Sequence, residues 1–186
     1  TFTRGEVTLK GTLSLPEGVS AAAPRPGVVL VHGSGPQSRD ERVPGQLGMT
    51  FPAPVPVFAE LAEHLQRQGY VVLRYDKRTC GPFNDCMPND YPAPSDTITP
   101  RDFIADAKAA RALLAGRPEV DADAIVYVGH SQAGALALEA LEAPFAGAVL
   151  LAANWRPIDQ VLVAQRDRLR ELMEAKGLPA GAIDAQ

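Results

Sequence analysis

The stretch Gly129-His130-Ser131-Gln132-Ala133-Gly134 decides the fold of this chain. It follows the apolar run Ala124-Ile125-Val126-Tyr127-Val128, which is typical of a buried strand, and it opens the helical run Ala135–Leu141. The pattern predicts a serine on a sharp turn between a strand and a helix. Small residues surround Ser131 because such a turn is tight and the helix packs close to the strand. A turn of this kind presents a serine hydroxyl as a nucleophile.

Other apolar runs alternate with helical segments along the whole chain. Strands are expected around Phe2–Leu9, Gly11–Leu15, Gly27–Val31, Tyr70–Arg74, Ile125–Val128 and Gly147–Leu151. Gly11 is expected to turn a hairpin between the first two of them. Helices are expected around Phe58, after the Thr99-Pro100 start signal, and from Ile158 to Gly177. This alternation predicts βαβ units, a mostly parallel sheet with flanking helices, and therefore the α/β class.

Length and charge exclude several function classes. The 186 residues suit one hydrophobic core, and the formal net charge is -4. A slightly acidic chain without a basic cluster gives no reason to expect nucleic-acid binding. No apolar stretch approaches the length that spans a bilayer, so no membrane span is expected.

The two cysteines, Cys80 and Cys86, lie in one loop rich in Pro, Gly and Asn. Such a short separation allows a disulfide if the loop bends back, and two free thiols are the alternative. The chain begins at Thr1 without a visible signal peptide, so a leader was removed or the chain was trimmed. Together these features favour a periplasmic or secreted protein, with a cytoplasmic one as the alternative. No metal site is expected, since no further Cys or His lies close in sequence.

The serine needs two kinds of help to act as a nucleophile. A base must take its proton, and hydrogen-bond donors must stabilise the negative charge on the attacked carbonyl oxygen. One donor is expected from the backbone N–H of Gln132, and the second from Ser34 N–H in the loop His32-Gly33-Ser34-Gly35. The alternatives are a structural turn serine at Ser131 and a phosphate cradle at that glycine-rich loop.

The remaining polar residues near these motifs have simpler interpretations. His32 and His130 are expected to have packing roles, and His32 also orders its loop by hydrogen bonding. The charged run Arg39-Asp40-Glu41 is expected to be a solvated loop, with the lining of a substrate cleft as the alternative. Asp76 and Arg78, which follow a predicted strand, are expected to brace loops through ion pairs rather than to catalyse.

Three motifs together resemble the α/β-hydrolase superfamily. They are Val31-His32-Gly33-Ser34-Gly35-Pro36-Gln37-Ser38-Arg39-Asp40-Glu41, Arg74-Tyr75-Asp76-Lys77-Arg78 and Gly129-His130-Ser131-Gln132-Ala133-Gly134. Within the superfamily they are similar to bacterial lid-bearing carboxylesterases related to dienelactone hydrolases and serine aminopeptidases. The sequence departs from that pattern in two places: Ala133 replaces a glycine, and Thr79-Cys80 interrupts the step from Arg78 to glycine.

The resemblance implies a fold, an activity and a domain division. It implies hydrolysis of small-molecule esters through an acyl-enzyme, without a metal or an organic cofactor. It also implies that residues 1–154 are the N-terminal part of the hydrolase core and that residues 155–186 begin a lid after the sixth strand. Family members continue through the rest of the lid, two more strands and a last helix, which carry the acid and the histidine.

The order of the histidines is the main departure from a complete catalytic set. In this superfamily the order is Ser, then Asp or Glu, then His, but His32, His64 and His130 all precede Ser131. We therefore expect a complementary C-terminal segment to supply Asp or Glu and His, and the 186 residues alone to be inactive. The alternatives are an inactive binding or structural module, and a peptidase or acyltransferase on the same scaffold.

Overall fold

The computed structural model describes residues 1–5, 7–43, 55–80, 97–175 and 177. The described strands are β1 (Phe2–Arg4), β2 (Val7–Leu9), β3 (Gly11–Ser14), β4 (Arg25–Val31), β5 (Arg42–Val43), β6 (Val55–Pro56), β7 (Val71–Tyr75), β8 (Val120–His130) and β9 (Gly147–Leu151). The described helices are α1 (Val57–Arg67), α2 (Pro100–Ala115), α3 (Gln132–Ala140) and α4 (Ile158–Ala175). The chain divides into two compact units, Thr1–Ala153 and Asn154–Gln186.

The first unit is built on a five-stranded sheet with the order β3-β7-β4-β8-β9. The strands β7, β4, β8 and β9 run parallel to one another, and β3 is antiparallel to β7. This confirms the predicted α/β class with a mostly parallel sheet. Because β7, β4 and β8 are parallel neighbours, the loops that follow them leave the sheet at one edge, where such sheets bind ligands.

The strand β4 shows how the sequence pattern produces the layers. Val28 and Leu30 pack in a cluster with Phe58 of α1 on one face of the sheet. Val29 and Val31 belong to the cluster on the other face, to which α2 and α3 contribute. A strand covered on both faces is continuously apolar, and the run Gly27–Val31 has that pattern.

The start of α2 follows its sequence signal. Thr99 and Asp102 form a reciprocal capping box, and Pro100 occupies the first turn. The Thr99 backbone N–H donates to the Asp102 carboxylate at 2.9 Å, so one of the unpaired N–H groups near the helix start is satisfied. The predicted helix start is confirmed.

The N-terminal hairpin differs from the prediction. The predicted strand Phe2–Leu9 is divided into β1 and β2, which pair as a separate two-stranded sheet and turn near Gly5, whose φ is 59°. Gly11, expected at the turn, lies in β3 opposite Tyr75. A Cβ at Gly11 would lie 2.8 Å from the Arg74 carbonyl oxygen, so glycine is needed there for close approach of two strands. The assignment of the turn to Gly11 was wrong.

The second unit contains α4, which begins at Ile158 as predicted from the amphipathic pattern. Gly177, whose φ is 73°, lies just beyond the helix. Neither α4 nor any other helix in the described part of the chain is both long and apolar enough to cross a membrane.

Candidate active site

Ser131 lies on a turn between β8, which ends at His130, and α3, which begins at Gln132. Its backbone has φ 49° and ψ -110°. A positive φ is strained for a residue with a Cβ, at a cost of about 1–3 kcal/mol, and such strain is concentrated at functional sites. Its N–H donates to the Leu151 carbonyl at 2.9 Å, and the residue is half-buried. The strand-to-helix turn expected from the sequence is therefore present.

The small residues around Ser131 are required by close packing. A Cβ at Gly129 would lie 2.5 Å from Cε1 of Tyr127, and one at Gly134 would lie 2.3 Å from the Ala153 Cβ. The Tyr127 hydroxyl donates to the Ala133 carbonyl at 2.7 Å, which ties the helix start to the strand. Ala133, which departs from the family's glycine, is 1% exposed, so its methyl group fits the turn.

The loop that follows β4 lies directly against Ser131. A methyl group at Gly33 would lie 3.3 Å from the Ser131 Cβ and 3.0 Å from the His130 Nδ1. The register places Val31 beside Gly129, so this loop and the Ser131 turn leave the sheet together. The structure therefore brings the loop that carries Ser34 next to the turn that carries Gln132. Their role as donors to an oxyanion stays a prediction.

Glu41 is buried against Gly33 and His130, contrary to the expected solvated loop. It is 3% exposed, and its Oε1 accepts hydrogen bonds from Gly33 N–H at 2.7 Å and from His130 Nδ1 at 2.8 Å. These donors compensate for the lost hydration of the carboxylate. Its Oε2 is buried and has no hydrogen-bond partner within the described residues. The prediction that His130 has only a packing role was incomplete, because its ring also forms a hydrogen bond with Glu41.

The predicted loop-bracing ion pairs are present. The Arg39 guanidinium contacts the Asp76 carboxylate at 2.9 Å through Nε and at 2.5 Å through Nη2. Arg78 donates to Asp106 of α2 through Nε at 2.6 Å, and both side chains are buried. Asp76 thus links the loop that carries Arg39 to the end of β7, and Arg78 links α2 to the same place.

Lys77 is a site residue that sequence reasoning missed. It is 5% exposed, and its Nζ donates to the Gly33 carbonyl at 2.7 Å and to the Gln132 Oε1 at 2.7 Å. Its Nζ also lies 4.4 Å from the ring centroid of Phe103. Burial lowers the pKa of Lys77 to about 8, although the negative charge of Glu41 acts in the opposite direction. One feature of the sequence could have identified Lys77 as a site residue: it comes just after β7, the strand that pairs with β4.

His32 has the packing role that the sequence predicts. It is 3% exposed, and its Nε2–H donates to the Tyr75 carbonyl. Burial, together with the positive charge of Lys77, lowers the pKa of His32 to about 3. The imidazole is therefore neutral at physiological pH, and it joins the end of β4 to the end of β7.

The depressed pKa of His32 predicts a loss of stability in acid. Between pH 6.5 and 3 the unfolded chain binds a proton at His32 that the folded chain does not, so stability falls as pH falls. Between pH 7 and pH 4, the chain should lose about 3 kcal/mol more than a His32→Asn variant. Urea midpoints at the two pH values measure this difference. The exposed His64 gives a matched His64→Asn control, and equal losses in all three proteins would refute the assignment.

The cysteine prediction falls partly outside the described residues. Cys80 is 5% exposed and disulfide-bonded. Cys86 lies outside the residues that the structure describes, so the pairing of Cys80 with Cys86 stays a prediction.

A comparison with family models establishes the relationship of the chain. Residues 28–185 match the model of the Alpha/beta hydrolase family. The chain belongs to the alpha/beta hydrolase family. Esterase EstD of Thermotoga maritima is 34% identical to this alpha/beta hydrolase over 166 residues, which are 88% of this chain and 35% of that protein. The chain thus spans 35% of the length of this curated relative.

Solved structures share the fold of this alpha/beta hydrolase. Thermogutta terrifontis esterase 2, phosphoramylated by tabun, superposes with a TM-score of 0.53 at 20% identity, over 79% of this chain and 52% of that one. A dienelactone hydrolase-like promiscuous phosphotriesterase from metagenomic libraries gives a TM-score of 0.55 at 26% identity, over 82% of this chain and 56% of that one. The chain spans about half of each of these structures.

Proposed function

We propose that this alpha/beta hydrolase acts as a serine carboxylesterase on small esters, with Ser131 as its nucleophile. The observation that carries the proposal is the strained Ser131, φ 49°, on a strand-to-helix turn that lies against the Gly33–Ser34 loop. A hydroxyl on such a turn projects toward the carboxyl edge of the sheet. The esterases among the relatives support ester hydrolysis as the reaction class.

The proposed reaction has two steps. The Ser131 Oγ attacks the ester carbonyl carbon, its proton passes to a base, and a tetrahedral oxyanion forms. The N–H groups of Ser34 and Gln132 donate to that oxyanion. The intermediate then expels the alcohol, which takes up the proton and leaves an acyl group on Ser131. Water, activated by the same base, releases the carboxylic acid and restores the serine.

We place the base outside the 186 residues, in a complementary segment that brings one His and one Asp or Glu toward Ser131. Two observations support this placement. His32 is 3% exposed, and its Nε2–H is held by the Tyr75 carbonyl. Among the described strands, β9 is the outermost strand on one side of the sheet, and its Val149 and Leu150 are 47% and 49% exposed. Apolar strand edges are normally paired or covered.

Two further proposals concern the second unit and the location of the protein. We propose that the unit 154–186 begins a lid, because it opens with the amphipathic helix α4. We propose a periplasmic or secreted location, because Cys80 is disulfide-bonded and disulfides persist in oxidising compartments.

The placement of the base predicts that residues 1–186 alone turn over p-nitrophenyl butyrate no faster than their Ser131→Ala variant. The natural gene product that carries these residues should show Ser131-dependent turnover at ordinary enzyme rates. A matched acyl p-nitroanilide separates an esterase from a peptidase, since only a peptidase should turn over the amide at enzymatic rates. Serine-dependent turnover by residues 1–186 alone would show that the base lies within them. A gene product without activity would instead support the inactive module.

A further inference from the structure

The peptide unit between Gly33 and Ser34 links two groups that matter for the proposed reaction. Its carbonyl belongs to Gly33 and its N–H to Ser34. In a planar trans peptide these two groups point in opposite directions. Whatever fixes the Gly33 carbonyl oxygen therefore also fixes the direction of the Ser34 N–H.

Lys77 holds that carbonyl oxygen. Its Nζ donates to the Gly33 oxygen at 2.7 Å and to the Gln132 Oε1 at 2.7 Å. The ammonium group of Lys77 therefore contacts the residues on which both proposed donors depend. Gly33 contributes the carbonyl of the peptide whose N–H belongs to Ser34. Gln132 provides the second proposed donor, its own backbone N–H. Both contacts are charge-assisted hydrogen bonds, which are shorter and stronger than neutral ones.

The position of Lys77 is itself fixed. Its backbone N–H donates to the Gln37 carbonyl at 3.1 Å, and the residue is 5% exposed. Glu41 holds the other side of the same loop, because its Oε1 accepts the Gly33 N–H at 2.7 Å. Gly33 is therefore held through its N–H by a buried anion and through its carbonyl by a buried cation.

We propose that Lys77 is a positioning residue for the oxyanion hole, which it serves by orienting and polarising the Gly33–Ser34 peptide. A cation on the carbonyl oxygen draws electron density from the amide and makes the Ser34 N–H a stronger donor. Because that N–H acts on charge that develops in the transition state, the effect falls on the rate of acylation rather than on ester binding. The inference rests on the proposed function.

The test replaces Lys77 by methionine in the natural gene product that carries residues 1–186. Methionine keeps an unbranched side chain and removes both hydrogen bonds and the charge. We expect kcat for p-nitrophenyl butyrate to fall about 10- to 100-fold, with KM within about threefold, because a donor is weakened but not removed. The matched control is Lys108→Met, which removes a lysine whose side chain is 34% exposed and pairs with Glu142. It should leave kcat unchanged.

Two readouts separate positioning from a merely structural role. A trifluoromethyl ketone forms a tetrahedral adduct with a serine, so its affinity should fall by the same factor as kcat. The pH profile supplies the second readout: kcat of the parent protein should decline as Lys77 loses its proton near pH 8, and the Lys77→Met variant should lack this limb. Among the described residues, Glu41 and His32 are the charged or titratable groups that act on Lys77 or on which it acts, and Tyr75, Asp106 and Tyr127 line the same cavity.

The outcomes distinguish this inference from the proposed function. Lys77→Gln, which keeps a neutral donor for the Gly33 carbonyl, should give an intermediate kcat, and it serves as the test if Lys77→Met does not fold. If the folded variants keep kcat within twofold, or if KM changes in place of kcat, the role of Lys77 is overturned while the proposed function stands. If Ser131→Ala keeps activity, the proposed function itself fails.

Discussion

Replacing Ser131 by alanine is expected to lower kcat/KM for p-nitrophenyl butyrate by about 10⁴- to 10⁶-fold in the natural gene product that carries residues 1–186. The change removes the hydroxyl that we propose forms the acyl-enzyme, and it leaves the turn in place. The expected loss is large because a base and an acid cannot act on acyl transfer without the nucleophile. Any remaining rate comes from the oxyanion hole and from substrate binding.

The control for this change is Ser20→Ala, at an exposed serine outside the strands of the main sheet. It should leave kcat/KM unchanged. The Ser131→Ala protein should keep its unfolding midpoint, and alanine at a positive φ is no more strained than serine. A loss of less than tenfold would remove Ser131 from the role of nucleophile.

The second large effect is on stability, at the buried ion pair between Arg78 and Asp106. Replacing Arg78 by methionine should lower the free energy of unfolding by about 3–5 kcal/mol, because it leaves a buried carboxylate without its main partner. The side chains of Arg78 and Asp106 are 1% and 2% exposed. Arg4 also donates to the Asp106 Oδ1, at 3.2 Å, so the carboxylate keeps one weaker partner. Such a loss is a large part of the stability of an ordinary domain.

A matched substitution at an exposed ion pair shows how much of the expected loss of stability is due to burial of the pair rather than to removal of a charge. Arg67 contacts Glu63 at 2.8 Å on the surface of α1, with side chains 60% and 65% exposed. Arg67→Met should change the free energy of unfolding by less than about 0.5 kcal/mol, since exposed pairs contribute little. Urea unfolding of both variants measures the contrast. Equal losses would show that the Arg78 pair does not carry the expected energy.

The sequence predicts the central sheet and the turn at Ser131 because both depend on local patterns. The run Gly27–Val31 is apolar throughout because it is covered on both faces, and the structure shows a strand there. The Thr99-Pro100 signal marks the start of α2 for a similar reason, since a cap acts within one helical turn. The small residues beside Ser131 identify the turn before any contact is known.

The charged lining of the site could not be predicted in the same way. Glu41 lies in a polar run that looks solvated, yet it is 3% exposed because Gly33 and His130 donate to it. Gly33 is eight residues from Glu41, but His130 lies 89 residues away along the chain. Lys77 is similar, since its burial depends on the packing of α2 and α3 over the end of β7. Sequence patterns indicate which face of a helix or strand is buried, but they do not identify the partners of a buried charged side chain.

Covalent trapping tests most directly whether Ser131 is the nucleophile. The natural gene product that carries residues 1–186 is treated with a fluorophosphonate and then mapped by intact mass and peptide mass spectrometry. The account predicts one adduct per chain, located on Ser131, that appears as ester hydrolysis disappears, and it predicts no adduct in the Ser131→Ala protein. An adduct on another residue, or an unmodified Ser131 in protein that hydrolyses esters, would contradict it.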